Sequence, residues 1–351
     1  MGRRILITGL DTFWGGKMAA ALEKDPDVEM ILGMGTGNPS VQLERTEYVR
    51  ADQSYSLLER IVRATEVDTV VHTFLIVDST KMSGRELHEV NVIGTMNLLA
   101  AAGAPGSSVR QVVVKSSAVV YGAGPKDPTW FDENTPRSRP PRTRLERSLT
   151  EVESYVHDFA EDNPDMVVTL LRFANVLGTS IETPISRNLS RGVFPSVAGF
   201  DPQVQFVEED DVVRSFELVV RDRVRGVFNV AGDGRLPWSE VARIASAWRL
   251  PLPPLFTREA AAMLVRLNML DLPPELEDLL RFGRGLDTSR LKALGFEFNA
   301  TSAGAVESFA RAMRLKRTVG HHLPRYQYDS DVEAFFKHSP AVVRHQRSER
   351  V

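Results

Sequence analysis

The segment Arg4-Ile5-Leu6-Ile7-Thr8-Gly9-Leu10-Asp11-Thr12-Phe13-Trp14-Gly15-Gly16-Lys17 constrains the fold of this chain more than any other. A short apolar run bounded by glycine reads as a buried strand, and the stretch 18–23 that follows reads as a helix. A strand turning on glycine into a helix leaves orphan N–H groups and a partial positive charge at the turn. A pyrophosphate is held there without a basic side chain. Gly9 permits the sharp turn, and Gly15 lets the helix pack closely on the strand. The spacing is Gly-x-x-Gly-x-x-Gly with Thr12 in the middle place, so a Cβ stands where backbone and phosphate approach most closely. An ordinary strand-to-helix turn shares this local pattern, and the context decides between the two.

That context is an alternation. Residues 28–33 form a second short apolar run, completing a β-α-β unit. A dinucleotide-binding unit usually ends this strand with an acid that bonds the adenosine ribose, but Gly33-Met34-Gly35-Thr36-Gly37 contains none, and no arginine follows for a 2′-phosphate. Further strands are expected at 48–52, 68–74, 111–117 and 166–172, separated by helical stretches at 57–62, 88–102 and 145–159. Strands alternating with helices imply an α/β, Rossmann-like, doubly wound parallel sheet over residues 1–178. Beyond Gly178 the sequence is less regular and richer in proline, which suggests a smaller substrate lobe over 179–315, with 226–232 returning to the sheet. Helical stretches at 259–270 and 273–280 read as packing within that lobe. The loop 125–141 is rich in proline and charge, with Trp130 and Phe131 as anchors; it is either functional or a solvated connector. From 316 to 351 the composition changes to a tail with His321, His322, His338 and His345 and no compact metal-ligand spacing, expected to pack on the body or on a partner.

With 351 residues, 42% of them hydrophobic, the chain has material for a full core. A net charge of -3 provides no basic field for nucleic acid. Absence of cysteine removes disulfides, thiolate catalysis and thiolate metal sites. No apolar run is long enough to span a bilayer. Arg3 and Arg4 lead directly into a strand, unlike the layout of a secretion signal, so the chain reads as cytoplasmic.

Several ordered motifs resemble the extended short-chain dehydrogenase/reductase family, in its NAD-dependent nucleotide-sugar epimerase/dehydratase branch. They are the glycine turn, Asp52, Asn91 to Leu99, Ser116-Ser117-Ala118-Val119-Val120-Tyr121-Gly122, Leu171 to Gly178, and Gln205-Phe206-Val207 leading to Asp211-Val212-Val213. The resemblance covers about the first 310 residues. It implies an NAD cofactor, with NADP left open, lying against Gly9, Thr12, Phe13, Trp14, Gly15, Asp52 and Phe74. It further implies Ser117 as the active-site hydroxyl and Asn175 as a substrate contact. It implies a small-molecule or nucleotide partner, and by analogy a homodimer paired through the helical stretches from His88 and Leu145.

In this family a tyrosine four residues before a lysine transfers the proton, the lysine lowering the tyrosine pKa. Aligning Ser148 and Glu153 with the family's serine and glutamate puts Leu145 at the tyrosine and Leu149 at the lysine; a register based on Glu151 gives Thr143 and Arg147. Neither register restores the pair. Phe74 stands where a small residue is usual, and Val204 where sugar epimerases place an arginine on the diphosphate. Tyr121 and Tyr155 are nearby, and both read as structural. The expectation is a divergent NAD(P)-binding oxidoreductase or epimerase using Ser117, with alternatives of a non-catalytic nucleotide sensor or scaffold, or an interaction module that binds through its tail.

Overall fold

Ile5, Leu6 and Ile7 have no exposed surface, because their strand lies at the interior of a sheet covered on both faces. The computed structural model describes residues 2–319 apart from Ser40, Lys81 and Phe256, so the four tail histidines lie outside the described residues. Seven parallel strands, β1 (Arg3–Thr8), β2 (Val28–Gly35), β3 (Thr46–Arg50), β4 (Thr69–His72), β5 (Gln111–Ser117), β6 (Val167–Phe173) and β7 (Gly226–Val230), lie in the order β7-β6-β5-β4-β1-β2-β3. The doubly wound sheet expected from the alternation is therefore present. At one edge β7 pairs with β6 from Gly226 opposite Thr169 to Val230 opposite Phe173.

Successive strand residues point to opposite faces, and each face has its own apolar layer. Ile5, Ile7, Val71 and Val113 meet Met18 and Leu22 of α1 (Phe13–Leu22) together with Phe216 and Val219 from the helix Glu209–Arg221. Leu6, Val70, Val112 and Val114 meet residues of α2 (Tyr55–Thr65), α3 (Gly94–Ala102) and α4 (Arg144–Asp162). Each fully buried aliphatic side chain contributes about 1.5–3 kcal/mol. The strand order reverses at β1, flanked by β2 and β4, so the crevice outside their C-terminal ends is where such sheets bind ligands.

Helix starts follow local chemistry. Thr143 caps α4 in a reciprocal box with Glu146, and Glu146 also pairs with Arg137 at 2.5 Å. In the loop before it, a short strand at Trp130–Phe131 pairs with Gly285–Leu286, so Phe131 is a buried anchor while Trp130 stays exposed beneath Arg235. The chain divides into a unit reaching to Ala310 and another beginning at Arg311; the site lies in the first.

Candidate functional site

The glycine turn has the geometry its sequence implies. Gly9 has φ of +74°, and a Cβ there would stand 2.6 Å from Cβ of Phe74. A Cβ on Gly15 would stand 2.0 Å from the Gly9 carbonyl oxygen, so α1 sits on the strand at a distance only glycine allows. Thr12, in the middle place, caps α1. Its hydroxyl accepts from the Gly15 N–H at 3.1 Å and donates to the Gly9 carbonyl at 2.6 Å. The side chain is thereby folded back on the turn, and a cap of this kind contributes about 1 kcal/mol. These residues fit a bound pyrophosphate.

An acid does stand at the end of β2, and it comes from the glycine turn. The Asp11 carboxylate accepts from the N–H groups of Gly37 at 2.6 Å and Thr36 at 3.0 Å and from the Thr36 hydroxyl at 3.2 Å. A Cβ on Gly35 would be 2.4 Å from Asp11 Oδ1, so the glycine that ends β2 makes room for it. Sequence alone points to β2 itself for this acid; the available signal is Gly35 and Gly37, which lie against Asp11, whereas Gly33 makes room for Leu10. Asp52 is exposed after β3 and accepts from the Ser54 N–H at 3.1 Å. Hydrogen bonds from Ser54 hold its carboxyl below the usual range.

Phe74 is buried, its ring edge-on to His72 with centroids 4.1 Å apart and its Cε2 close to Gly94 at the start of α3. His72 is enclosed between the hydroxyls of Thr8 and Thr95, each 2.9 Å away. Burial, aided by the charge of Lys115, pushes its pKa down to about 3. A histidine neutral in the fold but free to protonate when unfolded loses stability as pH falls below its unfolded pKa, about 6.5. Between pH 7.5 and pH 5 this group should remove about 2 kcal/mol, and His72→Gln should flatten that part of a urea-derived pH–stability curve. An unchanged slope would contradict the buried neutral assignment.

At the C-terminal ends of β5 and β6 lies a pocket of roughly 140 Å³. It brings together Trp14 from the turn, Ser117, Asn175, Glu275 from α5 (Pro274–Phe282) and Arg284. The Ser117 hydroxyl accepts from the Val119 N–H at 3.3 Å, and Asn175 Nδ2 donates to the Gln205 carbonyl at 3.0 Å. Glu275 accepts from the Ser79 hydroxyl at 2.6 Å, and burial raises its pKa despite that bond. Neither Glu275 nor Arg284 falls in a motif that sequence reading singles out, because only the fold carries the chain's late segment back over Ser117.

Leu145 and Leu149 do not join this site. Both have zero exposure and pack with Ala118, Val120, Tyr121, Phe131 and Leu286 in an apolar cluster. Tyr121 is structural: its hydroxyl donates to Asn229 and accepts from Arg172, each at 2.8 Å. Burial raises its pKa. Tyr155 packs partly buried against the α4 face of the sheet.

A profile of the NAD dependent epimerase/dehydratase family matches residues 5–231, spanning the glycine turn, Ser117 and Asn175. The chain belongs to that family. Uncharacterized proteins of Mycobacterium tuberculosis and Mycobacterium bovis are 33% identical to this family member over 329 residues, covering 92% of this chain and 87% of theirs. Its fold is similar to that of a UDP-glucose 4-epimerase from Thermotoga maritima solved with UDP-glucose, at a TM-score of 0.68 and 19% identity over 90% of this chain and 100% of that one. A UDP-glucuronic acid 4-epimerase from Bacillus cereus in complex with NAD gives 0.67 and 16% over 89% and 99%. A dTDP-glucose 4,6-dehydratase from Bacillus anthracis in complex with NAD gives 0.67 and 16% over 92% and 100%. Among the described residues of this epimerase/dehydratase relative, no helix is long and apolar enough to cross a membrane.

Proposed function

We propose that this chain binds NAD in the crevice, pyrophosphate against the α1 N-terminus, and acts on a small substrate in the adjoining pocket as a divergent oxidoreductase or epimerase. The observation that carries this reading is the shared wall: Trp14 follows the glycine turn directly and also lines the pocket that holds Ser117 and Asn175. Bound NAD would supply a hydride acceptor. Ser117 would hydrogen-bond the reacting oxygen, and Asp11 and Asp52 would accept from the adenosine half. With Leu145 and Leu149 assigned to the tyrosine and lysine places, no phenol takes the proton. Glu275 is the acid on the pocket wall, and burial raises its pKa above the usual carboxylate value, which makes it the candidate for proton transfer.

A second reading, a nucleotide-responsive protein without hydride chemistry, is favoured by the complete burial of Leu145 and Leu149. Calorimetry with NAD(H) and NADP(H) tests the common part of both. Binding tighter than roughly 1 mM, worth about 4 kcal/mol, is expected for NAD. No binding at that concentration and no co-purified nucleotide would overturn both readings. Reduction of bound NAD by members of a sugar-nucleotide and hydroxy-compound panel separates the enzyme from the sensor.

A further inference from the structure

Three carboxyl groups and one guanidinium meet where the loop after β4 touches the late segment of the chain. Arg187, on the helix Pro184–Arg191, donates through Nη2 to Asp78 at 2.9 Å and to the Thr80 hydroxyl at 3.1 Å. Its Nε donates to Asp271, and Asn188 beside it binds the N–H and the carbonyl of Asp271 at 2.9 and 2.7 Å. Asp78 also accepts from the N–H and hydroxyl of Thr80, at 3.1 and 2.6 Å. The third carboxyl, Glu275, accepts at 2.6 Å from the hydroxyl of Ser79, the residue next to Asp78. Of the three, only Glu275 lines the pocket of Ser117 and Asn175.

One guanidinium shared between two carboxylates leaves the third without a counter-ion in this knot, and a carboxyl so placed holds its proton more firmly than a paired one. Burial raises the Glu275 pKa, and the charge of Asp78 adds to the rise; the Ser79 hydroxyl acts in the opposite sense, because it bonds the carboxylate. Glu275 lies in the first turn of α5, where the helix N-terminus also favours the anion. Glu277 and Asp278 follow it on that helix, Asp278 paired with Arg142 at 3.5 Å. Lys115 and Arg284 line the same pocket, and their positive charge favours the carboxylate that remains once a proton has left.

We propose that Asp78 and Ser79 are positioning residues that make Glu275 the proton donor of the pocket. Asp78, held by Arg187 and Thr80, presents its charge to Glu275, and Ser79 aims the carboxyl. In the step itself the carboxyl O–H bond breaks and an O–H bond to a substrate oxygen forms; the carboxylate left behind regains a proton from solvent. This rests on the functional reading above in that the same pocket holds the substrate.

Infrared difference spectroscopy of the full chain during a pH titration tests it. The C=O stretch of a neutral carboxylic acid that is missing from Glu275→Gln identifies the group, and its midpoint should lie above the ordinary glutamate value of about 4.3. Asp78→Asn removes the neighbouring charge and should lower that midpoint by about one pH unit. Ser79→Ala removes a bond to the carboxylate and should raise it. Opposite shifts at adjacent residues are the mark of positioning, since loosening of the fold would move both the same way. Oxidation of NADH by carbonyl compounds should slow as pH rises through the midpoint, and in Asp78→Asn the decline should move with it. No band specific to Glu275, a midpoint at or below the ordinary value, an unmoved midpoint in Asp78→Asn, or a rate profile that stays put when the midpoint moves would each overturn the proposal. Should Asp78→Asn fail to fold, Ser79→Ala decides, and an unchanged or lowered midpoint there overturns it. Intact NAD binding with an unmoved midpoint sinks the positioning alone, whereas loss of NAD binding with the expected midpoints sinks the functional reading.

Discussion

Replacing Arg172 with methionine should destabilise the protein by about 3–5 kcal/mol, the usual consequence of stranding a buried charge. The guanidinium of Arg172 on β6 grips Glu153 of α4 at 2.5 Å through Nη2 and at 3.0 Å through Nε. Both side chains are enclosed, with 15% and 11% exposure. Glu153 also accepts from the Ser116 hydroxyl at 2.5 Å, and Arg172 donates to Tyr121 and to the Glu133 carbonyl. Burial disfavours the arginine's charge, but Glu153 more than offsets this and raises its pKa. Methionine fills much of the volume and leaves a carboxylate without its counter-ion. In urea the midpoint should fall with little change in the denaturant slope. Adding Glu153→Gln to that variant should recover at least about half of the loss, because the stranded charge is gone. A single variant within about 1 kcal/mol of wild type would show that solvent, rather than Arg172, satisfies Glu153.

This network explains why part of the site was legible in the sequence. Ser116, Glu153 and Arg172 are tied to one another, and each sits on a regular element whose hydrophobic period can be read along the chain. Ser117 ends β5 and Asn175 follows β6, so an ordered set of motifs points to both. Asp11, Glu275 and Arg284 were not legible for a different reason. Their surroundings depend on which distant group they face: Asp11 on the amides of residues 36 and 37, Arg284 on the Gly122 carbonyl, and Glu275 on the Ser79 hydroxyl. Separations of 25, 162 and 196 residues leave no periodic trace in a sequence. His72 is a further case, since nothing in the strand it sits on shows that Thr8 and Thr95 close over its ring.

Leu149→Lys, alone or with Leu145→Tyr, should destabilise the fold by at least about 4 kcal/mol rather than create a catalyst. Leu145 and Leu149 are one helical turn apart on α4 and share an apolar cluster with Ala118, Tyr121 and Leu286, neither exposing any surface. Exchanging Leu149 for lysine forfeits about 2 kcal/mol of apolar burial. It also forces the ammonium either to stay charged without water or to give up its proton; a downward shift of about 3–5 pKa units costs about 4–5 kcal/mol at pH 7, where deprotonation caps the loss. Against a typical total of about 5–15 kcal/mol, such a loss takes the chain to the edge of unfolding. A lysine whose folded pKa is depressed binds its proton better when unfolded, so the variant should lose stability as pH falls and regain it as pH rises toward about 10. Leu149→Met, which keeps volume and polarity, should cost less than about 1.5 kcal/mol. The contrast between the two variants separates a packing role from a vacated catalytic slot. If instead Leu145→Tyr with Leu149→Lys folded as well as wild type and turned over bound NAD faster, the slot would be a working active site. The assignment of proton transfer to a group elsewhere in the pocket would then fall.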